Sequence, residues 1–297
     1  MSKSARPDEL PSTRTLLDEL QTILCDITRA SIAEKGIFGC ALRASIAKSF
    51  EFTSLAHQDP PPVHGFFITA TLRGICEDLI VFTFLDRLSV DDRNQALSLL
   101  MSLNIAEGIK AQSEFFGATR PWQPVVQPPK QKKIDEEQKL RALSAKLGWT
   151  GRQPWPTVWH MAKEASLHAL YSYLYSATSK WVHFSPHILL RMGWGGTSDD
   201  VDDHTEWTFT TTNFSQYYIE FNQVYSLMLL LQLLRGPAAG LLSNRAQNVI
   251  AVLQLHLDEP MRWPETVTFE ELNLQGPNYI MRTLLRAAHD TKSGVTH

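Results

Sequence analysis

Two stretches of this sequence carry polar residues at helical spacing, where they could form a site. In the first, Arg73 and Glu77 lie four residues apart within a strongly apolar run, residues 64–87. A separation of four places both side chains on one face of a helix. Because the run is apolar nearly all round, it predicts a buried helix. Buried charges need further polar partners, so we expect Arg73 and Glu77 to meet polar groups from another helix.

The second stretch, residues 156–186, has a proline at each end and predicts one long helix over about 157–184. Its polar residues recur at steps of three and four along one face: His160, Glu164, His168, Ser172, Tyr175, Ser179 and His183. This stripe is the obvious source of partners for the charged pair. The predicted buried centre consists of Arg73, Glu77, Tyr175, Ser179 and His183. It could be a structural network that fixes helix register, or a catalytic or ligand-binding centre.

A metal site is the alternative use of the same stripe, since His160, Glu164 and His168 are spaced by four and four. Two ligands at that interval can hold a metal from one helical face. The sequence contains no HExxH motif, and Glu77 is the one carboxylate that a second buried helix would supply. We therefore assign no metal and no cofactor.

Aromatic residues crowd the region around the stripe, and they predict either an apolar ligand pocket or plain core, of which core is favoured. They are Trp149, Trp155, Trp159, Tyr171, Tyr173, Tyr175, Trp181 and Trp194. The Arg-x4-6-His motif of helical toxin ribonucleases fits only Arg282 and His289, a match that chance explains.

Composition narrows the class of protein. A net charge of −3 and a pI near 6.4 argue against a strong field for nucleic acid or membrane. Cys25, Cys40 and Cys76 are odd in number and form no close pair, which indicates reduced thiols and a cytoplasmic protein. No apolar leader opens the chain, and the most apolar run, Val224–Leu234, is too short to span a bilayer.

Helical periodicity dominates the chain, which predicts an all-α, bundle-like single domain over residues 12–290. We expect a disordered start over 1–11 and a polar tail over 291–297. Proline- and glycine-rich composition predicts loops at 118–133 and 186–213, with a short irregular or extended segment near 195–215. A last short helix is predicted over about 277–289.

The two motifs together resemble a known family. Arg73-x-x-x-Glu77 on an apolar helix, followed by Tyr175-x-x-x-Ser179-x-x-x-His183-x-Ser185, is similar to the bacterial family catalogued as domain of unknown function 5677. The resemblance covers about residues 36–186. It implies an all-helical protein in which an RxxxE helix pairs with a YxxxSxxxH helix, so that the five residues form one cluster. The family name implies no activity.

The leading functional hypothesis is a bacterial defence- or stress-related effector that acts on RNA, by fold-level analogy with ribonuclease bundles. In a catalytic centre His183 would be the general acid or base and Arg73 would stabilise phosphoryl charge. Tyr175 or Ser179 would position the substrate, and Glu77 would orient Arg73 or His183. The alternative is a non-enzymatic interaction or scaffold protein whose polar centre is structural. We expect RNA or another protein as the partner, and we expect no association with a membrane. The sequence is also compatible with a homo-oligomer. Burial of the pair predicts that Arg73→Ala costs roughly 3–5 kcal/mol of stability.

Overall fold

A computed structural model of the chain describes residues 10–29, 31–58, 62–126, 130–193 and 209–267. Within these ranges the protein is all-α and contains no β-strand, which confirms the predicted multi-helix single domain. Some predicted features lie outside the described residues. These are most of the N-terminal segment, residues 195–208 of the irregular segment, the helix over 277–289 with Arg282 and His289, the tail, and Trp194.

The described residues form a series of helices in chain order. Their bounds are α1 Thr13–Thr28, α2 Ile32–His57, α3 Pro62–Ile68, α4 Thr71–Leu85, α5 Val90–Thr119, α6 Lys130–Lys146, α7 Val158–Glu164, α8 His168–Val182, α9 Pro186–Arg191, α10 Ser215–Arg235 and α11 Asn244–Asp258. A 3-10 turn, Ala239–Leu241, links the last two. Helices α5 and α6 extend into the predicted loop 118–133, and α9 lies within the predicted loop 186–213.

Helix α10 forms the centre of the domain. It packs against α2, α3, α4 and α11, and its side chains are buried on nearly every side from Tyr218 to Leu234. Phe221 illustrates this burial, because it is 1% exposed and its ring lies 4.5 Å from that of Tyr225. A helix that is apolar nearly all round is typical of such a buried position, and the run Val224–Leu234 within α10 is of this kind. The core is therefore organised around α10, whereas α8 packs on α4 and α7 at its edge.

Several helices begin at a serine or threonine whose hydroxyl accepts a backbone N–H of the first turn. These caps are Ser12, Ser31, Ser89, Thr157 and Ser243. Such caps satisfy donors that a helix start leaves without an intrahelical partner. They stabilise the starts of these five helices.

The apolar run of residues 64–87 forms two helices instead of the single helix predicted. Helix α3 ends at Ile68, and α4 begins at Thr71. At the break, the Thr69 hydroxyl donates to the Gly65 carbonyl at 2.7 Å. The fully buried Asn222 of α10 also donates to that carbonyl, at 2.8 Å, and to the Thr69 hydroxyl at 3.1 Å. A polar side chain from the central helix therefore satisfies the backbone where the helix is interrupted.

The predicted helix over 157–184 is also divided. Helix α7 ends at Glu164, and Ser166 adopts a left-handed conformation with φ of 60°. The Leu167 N–H then bonds to the Ala162 carbonyl at 2.8 Å, which closes the helix end as in a Schellman motif. Helix α8 begins at His168. The polar stripe of residues 160–183 is therefore not one continuous line.

No helix among the described residues is both long and apolar enough to cross a membrane.

Candidate functional site

Helices α4 and α8 bring Arg73, Glu77 and Tyr175 together. The Arg73 Nε donates to the Glu77 Oε1 at 3.0 Å along α4. The Arg73 guanidinium also lies over the Tyr175 ring of α8, with its Cζ 4.4 Å from the ring centroid. The sequence thus correctly placed these three residues next to one another, and the contact between the two motifs is direct.

This cluster is open to solvent, which differs from the buried centre that we predicted. The side chains of Arg73 and Glu77 are 27% and 32% exposed, and Tyr175 is 40% exposed. Helix α4 directs Leu72, Ile75 and Leu79 into the core and leaves the charged pair at its edge. Water therefore solvates these charges, and no further buried partner is needed.

Tyr171 completes the cluster, one turn before Tyr175. The two tyrosine rings lie 5.4 Å apart. Burial, and then the negative charge of Glu77, raise the pKa of Tyr171, so its phenol keeps its proton at neutral pH. The hydrogen bond to Glu77 raises the pKa of Arg73. The site therefore presents a cation between a carboxylate and two phenol rings.

Ser179 and His183 continue along α8 but make no side-chain hydrogen bond or ring contact with Arg73, Glu77 or Tyr175 in the described structure. The Ser179 Oγ is buried, and within the described ranges it has no hydrogen-bond partner. His183 ends the helix as its C-cap, donates its backbone N–H to the Ser179 carbonyl, and has an exposed side chain. The participation of Ser179 and His183 in the site stays a prediction.

Because Arg73 and Glu77 are partly exposed, we expect the loss of their ion pair to cost less stability than a buried pair would. We expect Arg73→Ala to lower the free energy of unfolding by about 1 kcal/mol or less, because exposed ion pairs and exposed cation–π contacts contribute little. The neighbouring Leu72→Ala, at a fully buried position, should cost about 2–5 kcal/mol. Denaturant unfolding of both variants measures this contrast. A loss of about 3 kcal/mol or more in Arg73→Ala would show that the charged pair is buried, as the sequence predicted.

A second group of polar and aromatic side chains lies where α7 meets α8. The ring of Trp159 lies 4.9 Å from that of His160 and 5.4 Å from that of His168. The Lys163 Nζ lies over the same indole, 3.8 Å from its centroid. The Thr157 hydroxyl contacts the His160 Nδ1 at 2.8 Å, which holds this imidazole in place.

This arrangement removes the basis of the metal alternative. His160 and Glu164 lie on α7 and His168 on α8, and the turn at Ser166 separates them. The spacing argument required one continuous helix. The part of the chain that the structure describes contains no group of three or more histidine, cysteine or acidic side chains that could hold a metal ion.

The two groups adjoin along α8, where His168 and Tyr171 lie three residues apart and so on the same side of the helix, and we infer one surface that spans both groups. We call this surface the aromatic face. It consists of the rings of Trp159, His160, His168, Tyr171 and Tyr175 with the cations Arg73 and Lys163. Glu77 neutralises Arg73, whereas Lys163 forms no ion pair among the described residues. The face is therefore rich in rings and only weakly positive.

The sequence did not reveal the aromatic face as a unit. It favoured core for the aromatic residues, which holds for Trp155 at 7% exposure and for Tyr173, whose hydroxyl bonds to the Pro264 carbonyl. Trp159, at 39% exposure, is instead at the surface. No sequence signal separates an exposed tryptophan from a buried one within the same apolar pattern.

Comparison with known proteins supports the motif-based assignment. Residues 66–201 match the family model described as Family of unknown function (DUF5677). This match confirms the resemblance and covers α4, α7 and α8, and with them the whole aromatic face. No curated protein and no solved structure matches the chain.

Proposed function

We propose, from the geometry of the region that matches the DUF5677 family model, residues 66–201, that the protein binds single-stranded RNA on its aromatic face; the family description assigns no activity. The observation that carries this proposal is the run of partly exposed rings on α7 and α8, with a cation stacked on Trp159 and another on Tyr175. A defence- or stress-related role would then act through recognition of RNA.

The rings suit unpaired bases. Proteins that bind single strands stack successive bases on aromatic side chains, which contributes about 1–3 kcal/mol per base and tolerates any sequence. Trp159 and Tyr175 stand at the two ends of the aromatic face, and Tyr171 lies 5.4 Å from Tyr175. Bases within a duplex already stack on one another, so the face should prefer single strands.

The charges suit a weak phosphate contact. Lys163 and Arg73 each lie over one face of a ring, Trp159 and Tyr175, whose other face would hold a base, so phosphates of the same strand would pass close to these cations. Since Glu77 balances Arg73, the electrostatic contribution is small. We therefore expect binding dominated by stacking, with a slope of log K against log salt no steeper than about −2, because each phosphate contact in a single strand adds about −0.7. The net charge of −3 is compatible with this mode.

Binding is better supported than cleavage by the predicted catalytic centre. General acid–base catalysis places its groups within hydrogen-bond reach of one reacting site. In the described structure His183 contacts neither Arg73 nor Glu77, whereas His160 and His168 both lie against Trp159. If RNA is cut, the histidines of the aromatic face are therefore the first candidates for proton transfer.

Fluorescence anisotropy with a labelled oligouridine tests the proposal. We expect saturable binding to the single strand, at least tenfold weaker binding to a duplex of equal length, and a shallow salt slope. The same samples run on a denaturing gel show whether the RNA is shortened. Equal affinity for duplex and single strand, with a steep salt slope, would contradict the stacking mode. A lack of binding to either would favour the interaction or scaffold protein.

A further inference from the structure

A cavity of about 500 Å³ lies where the end of α10, the 3-10 turn and α11 meet. None of its lining residues belongs to the aromatic face. Its volume falls within the range of small-molecule sites, about 300–1,000 Å³. Its apolar lining includes Leu234 and Ile250, both buried, together with Leu242. The cavity thus offers an apolar floor of the size that a small organic molecule fills.

Polar side chains also line this cavity. The Arg235 Nη1 donates to the Gln254 Oε1 at 2.9 Å, and the Gln254 Nε2 donates to the Asp258 Oδ1 at 2.9 Å. These two hydrogen bonds fix the Gln254 amide so that its oxygen faces the Arg235 guanidinium. Gln247 supplies a second amide to the lining.

The charge of Arg235 has no acidic partner of its own among the described side chains, since Asp258 bonds to the amide of Gln254 and not to the guanidinium. The position of Arg235 in the last turn of α10 is favourable by itself, because a cation complements the negative end of a helix. The helix dipole balances the charge of Arg235 only in part. The remaining N–H groups of a guanidinium form a planar fork that matches a carboxylate.

We propose that this cavity binds a small amphipathic carboxylate. Its alkyl chain lies on Leu234, Leu242 and Ile250, and its carboxylate is held by Arg235 with the amide of Gln247 beside it. A single cation, whose partner amide Gln254 is in turn hydrogen bonded to Asp258, suits a monoanion better than a phosphate. The site is separate from the aromatic face and does not depend on the proposed RNA binding.

Isothermal titration with octanoate tests this site. We expect one molecule of octanoate to bind per chain, octanamide to bind at least tenfold more weakly, and acetate to give no measurable binding. Arg235→Gln should reduce the affinity for octanoate by about tenfold or more, because it removes a hydrogen bond between charged groups. Octanamide should bind this variant and the wild type alike. Ala251→Trp, which fills the cavity from α11, should abolish binding of both ligands.

The matched control is Arg245→Gln, which removes an arginine of α11 that is paired with Glu19 and does not line the cavity. It should leave octanoate binding unchanged. The proposal is overturned if wild-type protein binds no octanoate, if octanamide binds equally well, or if folded Arg235→Gln and Ala251→Trp proteins bind octanoate as the wild type does. Melting curves of the variants establish that they are folded.

Discussion

Replacing Trp159 or Tyr175 with alanine is expected to weaken the binding of single-stranded RNA by about tenfold to a hundredfold for each change. Stacking of one base on an aromatic ring contributes about 1–3 kcal/mol, and the loss of that free energy corresponds to this loss of affinity. Both side chains are close to 40% exposed, so neither change opens a cavity in the core. Anisotropy titrations of each variant with the same oligouridine give the loss directly.

Two control variants separate the ring from other effects. Tyr175→Phe keeps the ring and the surface on which Arg73 lies, and should bind RNA as the wild type does. Trp122→Ala removes a more exposed tryptophan, beyond the end of α5 and outside the aromatic face, and should also be neutral. An equal loss of RNA affinity in Trp122→Ala would mean that an exposed tryptophan binds RNA at any position on the surface, which would contradict a specific role for the aromatic face.

Phe221→Ala is expected to lower the free energy of unfolding by about 3–5 kcal/mol, which is the range for truncating a buried phenylalanine. The side chain is 1% exposed in the central helix and contacts the rings of Tyr217 and Tyr225. Its loss would leave a cavity that the neighbouring helices cannot fill without moving. Denaturant unfolding, followed by circular dichroism, measures the change.

The matched control is Phe115→Ala, at a position 61% exposed near the end of α5. The same substitution should change stability by about 0.5 kcal/mol or less, since surface changes of this kind are near neutral. Similar losses in both variants would show that α10 is not the centre of the core.

Much of the fold could be predicted because its signals are local. Helical periodicity indicated the all-α class, and the hydroxyl caps marked helix starts, as at Ser12. These features depend on residues that are close in sequence.

The helix breaks could not be predicted, because the residues that produce them carry weak signals. Ser166 adopts a conformation that usually favours glycine, and nothing in the sequence around it breaks the helical pattern. The break after Ile68 is stabilised by Asn222, a residue about 150 positions away. A contact at that distance in sequence becomes visible only in the folded protein.

The candidate site is less buried than predicted because α4 has one partly solvated edge. Counted as one helix, residues 64–87 are apolar on every face, which implied that Arg73 and Glu77 are buried. Within α4, the apolar residues Leu72, Ile75 and Leu79 are buried, whereas Arg73 and Glu77 lie on a partly solvated edge. The pairing of Arg73 with Glu77 was correct because it depends only on their spacing.

The central claim is that RNA contacts the aromatic face, and photocrosslinking tests it most directly. An oligouridine that contains 4-thiouridine is irradiated with the wild-type protein, and the adducts are located by mass spectrometry. We predict adducts on peptides that contain Trp159, Tyr171 or Tyr175. Adducts confined to other regions, such as α5 and α6, or no adduct under conditions that saturate binding, would contradict the account.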